Sequence, residues 1–153
     1  MGFRSGTENV PGIAGIGQAS KDCYDNLEHN VEIMTNLKDK LIDSLEAIEG
    51  VTVNSRKGNL GAPHIVSASF KGVRSEVLLH ALEEKGIYVS SGSACSSNHP
   101  AISGTLKAIG VKKELLDSTL RFSFGMFNKK EEIDYAVDVL KELLPVLRRF
   151  TIK

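Results

Sequence analysis

Cys95 stands in a run of small and hydroxyl-bearing residues, Val89-Ser-Ser-Gly-Ser-Ala-Cys95-Ser-Ser97. A packing cysteine normally sits among apolar neighbours and behaves as a small hydrophobe. Here the backbone can bend, and a thiol on such a loop has a route out of the fold. Nucleophilic chemistry needs a thiolate with access to its target. The same thiol could carry sulfur as a persulfide. The bland alternative is a thiol tucked under a Ser/Gly loop, and the residues alone leave both open. Cys23, just ahead of a long amphipathic run, has no such setting and reads as incidental.

Arg121 is the second chemically pointed residue. It lies in Leu120-Arg-Phe-Ser-Phe124, where alternation puts Arg121 and Ser123 on one face and Leu120, Phe122 and Phe124 on the other. A guanidinium on a strand suits fixed, bidentate capture of a carboxylate. The competing reading is an exposed or salt-bridged strand arginine. His64, His80 and His99 read as structural or solvent-facing. His99 follows Cys95 by four residues, but a closed zinc site needs four ligands. No Walker loop, EF-hand, HExxH or Ser-His-Asp order is present. Gly12-x-x-Gly15-x-Gly17 is not the dinucleotide fingerprint, because no strand precedes it.

Composition narrows the function classes. Nineteen basic residues balance nineteen acidic ones, so no broad field attracts nucleic acid or an anionic membrane. The basic cluster Arg148, Arg149 and Lys153 reads as favourable charge at a helix C-terminus. Two cysteines are too few for a disulfide framework and point to a reducing compartment. No apolar run approaches the ~20 residues of a membrane span, and the first residues lack the apolar core of a secretory signal. The expectation is a cytoplasmic protein.

The elements that must hold these residues can be read in order. Residues 1–20 are glycine-rich without a clean period and read as an extended arm. Asp22 to Glu49 repeats apolar residues every three or four positions, predicting one long helix stopped by Gly50. Val51–Val53 and His64–Phe70 read as strands, with Val66, Ala68 and Phe70 on one face. Ser75 is placed to cap a helix that closes at Gly86. A strand over Ile87–Ser90 leads into the cysteine loop, and a short helix follows from about Ser103 to Gly110. Asn128-Lys-Lys-Glu131 resembles a capping box opening a last helix with Ile133, Val137, Leu140, Leu144 and Leu147. Pro145 falls near that helix's end. The sum is an α+β two-layer domain, a mixed, mainly antiparallel sheet packed by helices, over residues 21–153.

Three stretches together resemble a known family: Arg4-Ser-Gly-Thr-Glu-Asn-Val-Pro-Gly12, Ser90-Ser-Gly-Ser-Ala-Cys95-Ser-Ser97 and Leu120-Arg-Phe-Ser-Phe-Gly125. Their order and spacing resemble the C-terminal part of NifS/IscS-type cysteine desulfurases, of the class V aminotransferase group. The resemblance covers essentially the whole chain. It implies the small domain of a fold type I pyridoxal-phosphate enzyme, with the large cofactor-binding domain absent. It further implies that Cys95 takes sulfur from L-cysteine as a persulfide, releasing alanine, and passes it to an acceptor protein. Arg121 would hold the substrate carboxylate. Thr7 would reach the cofactor phosphate of a neighbouring subunit in a homodimer, with Arg4 and Gly6 in the same motif. No counterpart of the family's Schiff-base lysine is seen, so the chain is expected to be inactive alone, as a cloned piece or a natural truncation. Selenocysteine lyase and a stand-alone, cofactor-free sulfur carrier or interaction module remain as alternatives.

Overall fold

The computed structural model describes residues 6–91 and 103–151. Helices α1 (Val10–Asp25) and α2 (Leu27–Glu46) lead into strand β1 (Val51–Val53). Strand β2 (Ile65–Phe70), helix α3 (Ser75–Glu83) and the two-residue strand β3 (Ser90–Ser91) follow. Helix α4 (Gly104–Ala108), strand β4 (Thr119–Ser123) and helix α5 (Lys130–Thr151) complete the order. The four strands make one sheet in the order β1-β2-β4-β3. The sheet, expected to be mainly antiparallel, is antiparallel in each described pairing.

Strand alternation divides the sheet into two chemically different faces. Val66 opposes Phe122 and Ala68 opposes Leu120 across β2 and β4, and all four are buried with Phe70. Helices α2 and α5 cover this face with Leu37, Leu41, Ile42, Leu45, Val137, Leu140 and Leu144. Each such side chain, fully withdrawn from water, contributes about 1.5–3 kcal/mol. The opposite face carries Ser67 against Arg121 and Ser69 against Thr119. This is the two-layer domain that the patterning predicts.

Local differences from expectation have identifiable causes. Residues 10–20, read as extended, are helical, with Asn9 accepting from the Gly12 N–H and Pro11 in the first turn. The expected single helix over Asp22–Glu49 is broken at Asn26, whose side-chain amide donates to the Asp22 carbonyl. Cys23 therefore lies inside α1, exposed. The strand expected over Ile87–Ser90 shrinks to Ser90–Ser91. Ser75 makes no cap bond and is instead a buried first residue of α3, after Arg74. The start of α5 is capped one way, by Glu132 and not Glu131: its carboxylate accepts from the Lys129 N–H at 2.8 Å and from the Asn128 amide at 3.0 Å. These bonds, the backbone one foremost, hold the Glu132 carboxyl below its ordinary range. Of the two expected glycine stops, Gly86 closes α3 at φ +76°, with the Gly86 and Ile87 N–H groups donating to the Glu83 and Leu82 carbonyls. By contrast, α2 already ends at Glu46, and Gly50, at φ +74°, lies in the turn before β1. Pro145 lies within α5.

Candidate functional site

Arg121 projects from the polar face of β4 and is exposed. Its Nη2 donates to Ser90 Oγ at 3.4 Å, and no described carboxylate pairs with it. Ser67 opposes it from β2 and Ser90 opposes it from β3. Arg121 thus occupies a register position between two serines on neighbouring strands, and its guanidinium bonds the one on β3. The salt-bridged alternative for this arginine is not what the described residues show.

Below it the polar face is held by a chain of side-chain bonds. Asn54 donates to Ser67 Oγ at 3.3 Å and to Ser69 Oγ at 3.0 Å. Ser69 and Thr119 share a 2.7 Å bond, and Thr119 donates to the Leu115 carbonyl at 2.7 Å. Ser69 and Thr119 are buried beneath the 3₁₀ turn Lys113–Ser118. None of Asn54, Ser69 and Thr119 was readable as a site residue from local pattern. Only the register that aligns β2 with β4 brings them together.

The remaining sequence candidates fall in different places. Cys95, with His99, lies outside the described residues; β3 ends four residues before Cys95. Thr7 is exposed just ahead of α1, a helix without buried residues, and the described contacts do not bring it to Arg121. His64 and His80 are exposed, and His80 Nδ1 lies 3.2 Å from Glu83. No cluster of three or more metal-binding side chains exists among the described residues. No described helix is long and apolar enough to cross a membrane.

Two of the clefts among the described residues are well formed, and neither is lined by Arg121 or Thr7. One, of about 480 Å³, lies between β1 and the segment after α4, with Thr52, Lys71 and Lys112 on its walls. The other, of about 540 Å³, is more apolar and runs from Ile87–Val89 to Phe124 and the start of α5. A pyridoxal-phosphate site needs a Schiff-base lysine beside the substrate clamp. The one fully buried lysine among the described residues, Lys38, is committed elsewhere: its Nζ donates to the Gly58 carbonyl at 2.5 Å. The described residues therefore do not by themselves make a site for that cofactor.

Comparison with known proteins is specific. The aminotransferase class-V family model matches residues 1–136. The chain is 40% identical over 149 residues to the cysteine desulfurase IscS of Vibrio cholerae serotype O1, covering 96% of this chain and 36% of that protein. It is 36% identical over 148 residues to the cysteine desulfurase IscS of Methanosarcina thermophila, covering 97% of this chain and 36% of that one. Among solved structures, a NifS-like protein superposes with a TM-score of 0.80 at 31% identity, over 95% of this chain and 36% of its own. A NifS-like protein from Rickettsia africae does so at 0.76 and 27%, over 93% and 36%. The chain thus spans little more than a third of the length of the relatives it matches.

Proposed function

The chain belongs to the aminotransferase class-V family, and from that premise we propose that it provides the sulfur-accepting and carboxylate-binding part of a cysteine desulfurase. The observation that carries this reading is Arg121: an exposed guanidinium, unpaired with any described carboxylate. It lies beside the strand that feeds the Cys95 segment. Arg121 holds the carboxylate of L-cysteine and so fixes where the substrate sulfur lies. The Cys95 thiolate attacks that sulfur. A sulfur–sulfur bond forms, the carbon–sulfur bond breaks, and its electron pair stays on carbon, which takes up a proton and leaves as alanine. The persulfide on Cys95 then passes to an acceptor protein.

Enzymes of this family use pyridoxal phosphate. The Thr7 hydroxyl is the contact this chain offers its phosphate, and the rest of the cofactor site would come from the two-thirds of the relatives' length that the chain does not match. A homodimer is part of the same reading. The apolar side chains of α1, among them Val10, Ile13, Ile16 and Tyr24, stand exposed and support association with a second copy. By contrast, the apolar face of α2 over Leu37–Leu45 is spent within the domain.

A chimera tests the assignment. The chain replaces the matching third of the Vibrio cholerae relative, and alanine formation from L-cysteine is followed. Turnover is expected, with Cys95→Ala lowering kcat more than about a thousandfold. A chimera that folds and binds the cofactor yet forms no alanine would overturn the proposal. The 153-residue chain alone, given pyridoxal phosphate, cysteine and a reductant, is expected to release no sulfide above a Cys95→Ala control.

A further inference from the structure

We propose that Ser67, Arg121 and Ser90 form a single carboxylate-binding row across three strands. In it Ser90 positions the guanidinium, and both serine hydroxyls donate to the ligand. The proposal rests on reading Arg121 as the substrate clamp and adds the two serines to it. The register makes the row, since Ser67 and Ser90 oppose Arg121 from its two sides. Directly opposed residues share a face, with Cβ atoms about 4.5–5.5 Å apart.

Donor accounting gives the row its chemistry. A carbonyl oxygen can only accept, so the bond between Thr119 and the Leu115 carbonyl commits the Thr119 proton. Ser69 must then donate to Thr119 across their 2.7 Å contact, and it accepts from Asn54. The same Asn54 amide donates to Ser67 Oγ. Ser67 is therefore an acceptor toward the domain and keeps its own proton for the open side. Ser90 is in the same condition, because its Oγ accepts from Arg121 Nη2. A hydroxyl has one proton to give, and no described residue receives either one.

The row thus presents one fixed positive charge flanked by two unspent O–H donors. That complement suits a planar monoanion, the carboxylate of a small amino acid. A phosphate dianion would leave charge uncompensated. Both serines are half-buried, so their rotamers are restricted while the open side stays accessible.

The full chain, isotope-labelled, is titrated with L-alanine, with alaninamide and with inorganic phosphate, and the side-chain signal of Arg121 is followed by NMR. Alanine is expected to bind and alaninamide not to. Ser90→Ala and Ser67→Ala should each weaken alanine binding about three- to tenfold, with Ser90→Thr restoring it and Arg121→Ala removing it. If Arg121→Ala abolishes binding while both serine variants bind as tightly as the parent, the row is wrong and the clamp stands. Alanine binding that ignores Arg121, or no alanine binding, sinks the clamp reading with it. Phosphate binding more tightly than alanine overturns the carboxylate assignment. Ser90→Ala shifting sheet amides throughout the domain, and not only around Arg121, would mark Ser90 as purely structural and overturn its positioning role.

Discussion

The two faces of the sheet come from the same two strands and do opposite work. On one, Val66, Ala68, Phe70 and Leu120 are wholly withdrawn from water, and the Phe70 and Phe122 rings lie 6.4 Å apart in a tilted pair. On the other, Ser67 and Arg121 stay within reach of solvent, and only the Ser69–Thr119 pair is sealed. Burial is concentrated on the first face, and the proposed ligand chemistry lies on the second. Mutations should therefore separate the two properties.

The sharpest separation comes from the apolar face. Phe70→Ala should cost about 3–5 kcal/mol in denaturant unfolding, through lost transfer energy and the cavity left beneath α2 and α5. A cost under about 1 kcal/mol would mean that this face is not the seat of stability. Next comes the sealed pair on the polar side. Thr119→Val leaves the Leu115 carbonyl and the Ser69 hydroxyl without their partner, and should cost about 1–3 kcal/mol. This is the one place where the polar face should contribute to the fold.

Arg121→Ala should shift stability by no more than about 0.5 kcal/mol, since its one described bond is long and exposed. In the chimera it should raise KM for cysteine by about tenfold or more. A large stability loss here would erase the contrast between the faces.

The smallest effect lies at the start of α5. The Glu132 carboxyl is held below its ordinary value of 4.5. Its stabilisation is therefore complete above that value and fades as pH falls through the lowered folded value. The stability difference between the parent and Glu132→Gln should shrink over that acidic window; a difference constant with pH would count against the cap.

Much of this division was legible in the residues. Strict alternation in Leu120–Phe124 and His64–Phe70 identifies both faces, because a period of two has a single structural reading when one face is buried. The helical period of α5 is equally plain. Residues 10–20 misled because Gly12, Gly15 and Gly17 disfavour a helix, and the informative signals were Asn9 and Pro11 at its start. Ile87–Val89 look like a strand but line the apolar cleft instead of pairing. The serines flanking Arg121 were invisible for a different reason. Ser67 and Ser90 lie 54 and 31 residues from it in sequence, and composition carries no register.

In the sequence Arg148 carries only the signature of helix-end charge, yet it ties distant parts of the chain together. From α5 it donates to the Glu49 carbonyl at 2.8 Å and to the Lys71 carbonyl at 3.1 Å. Its side chain also fills the space where a Cβ on Gly50 would collide. During synthesis these carbonyls emerge long before the arginine that fastens them. The first half of the domain must then wait, its apolar sheet face covered by α2 but not by α5, until the last helix leaves the ribosome. Translation stalled ahead of α5 would leave a sticky, half-closed chain, a natural client for chaperones.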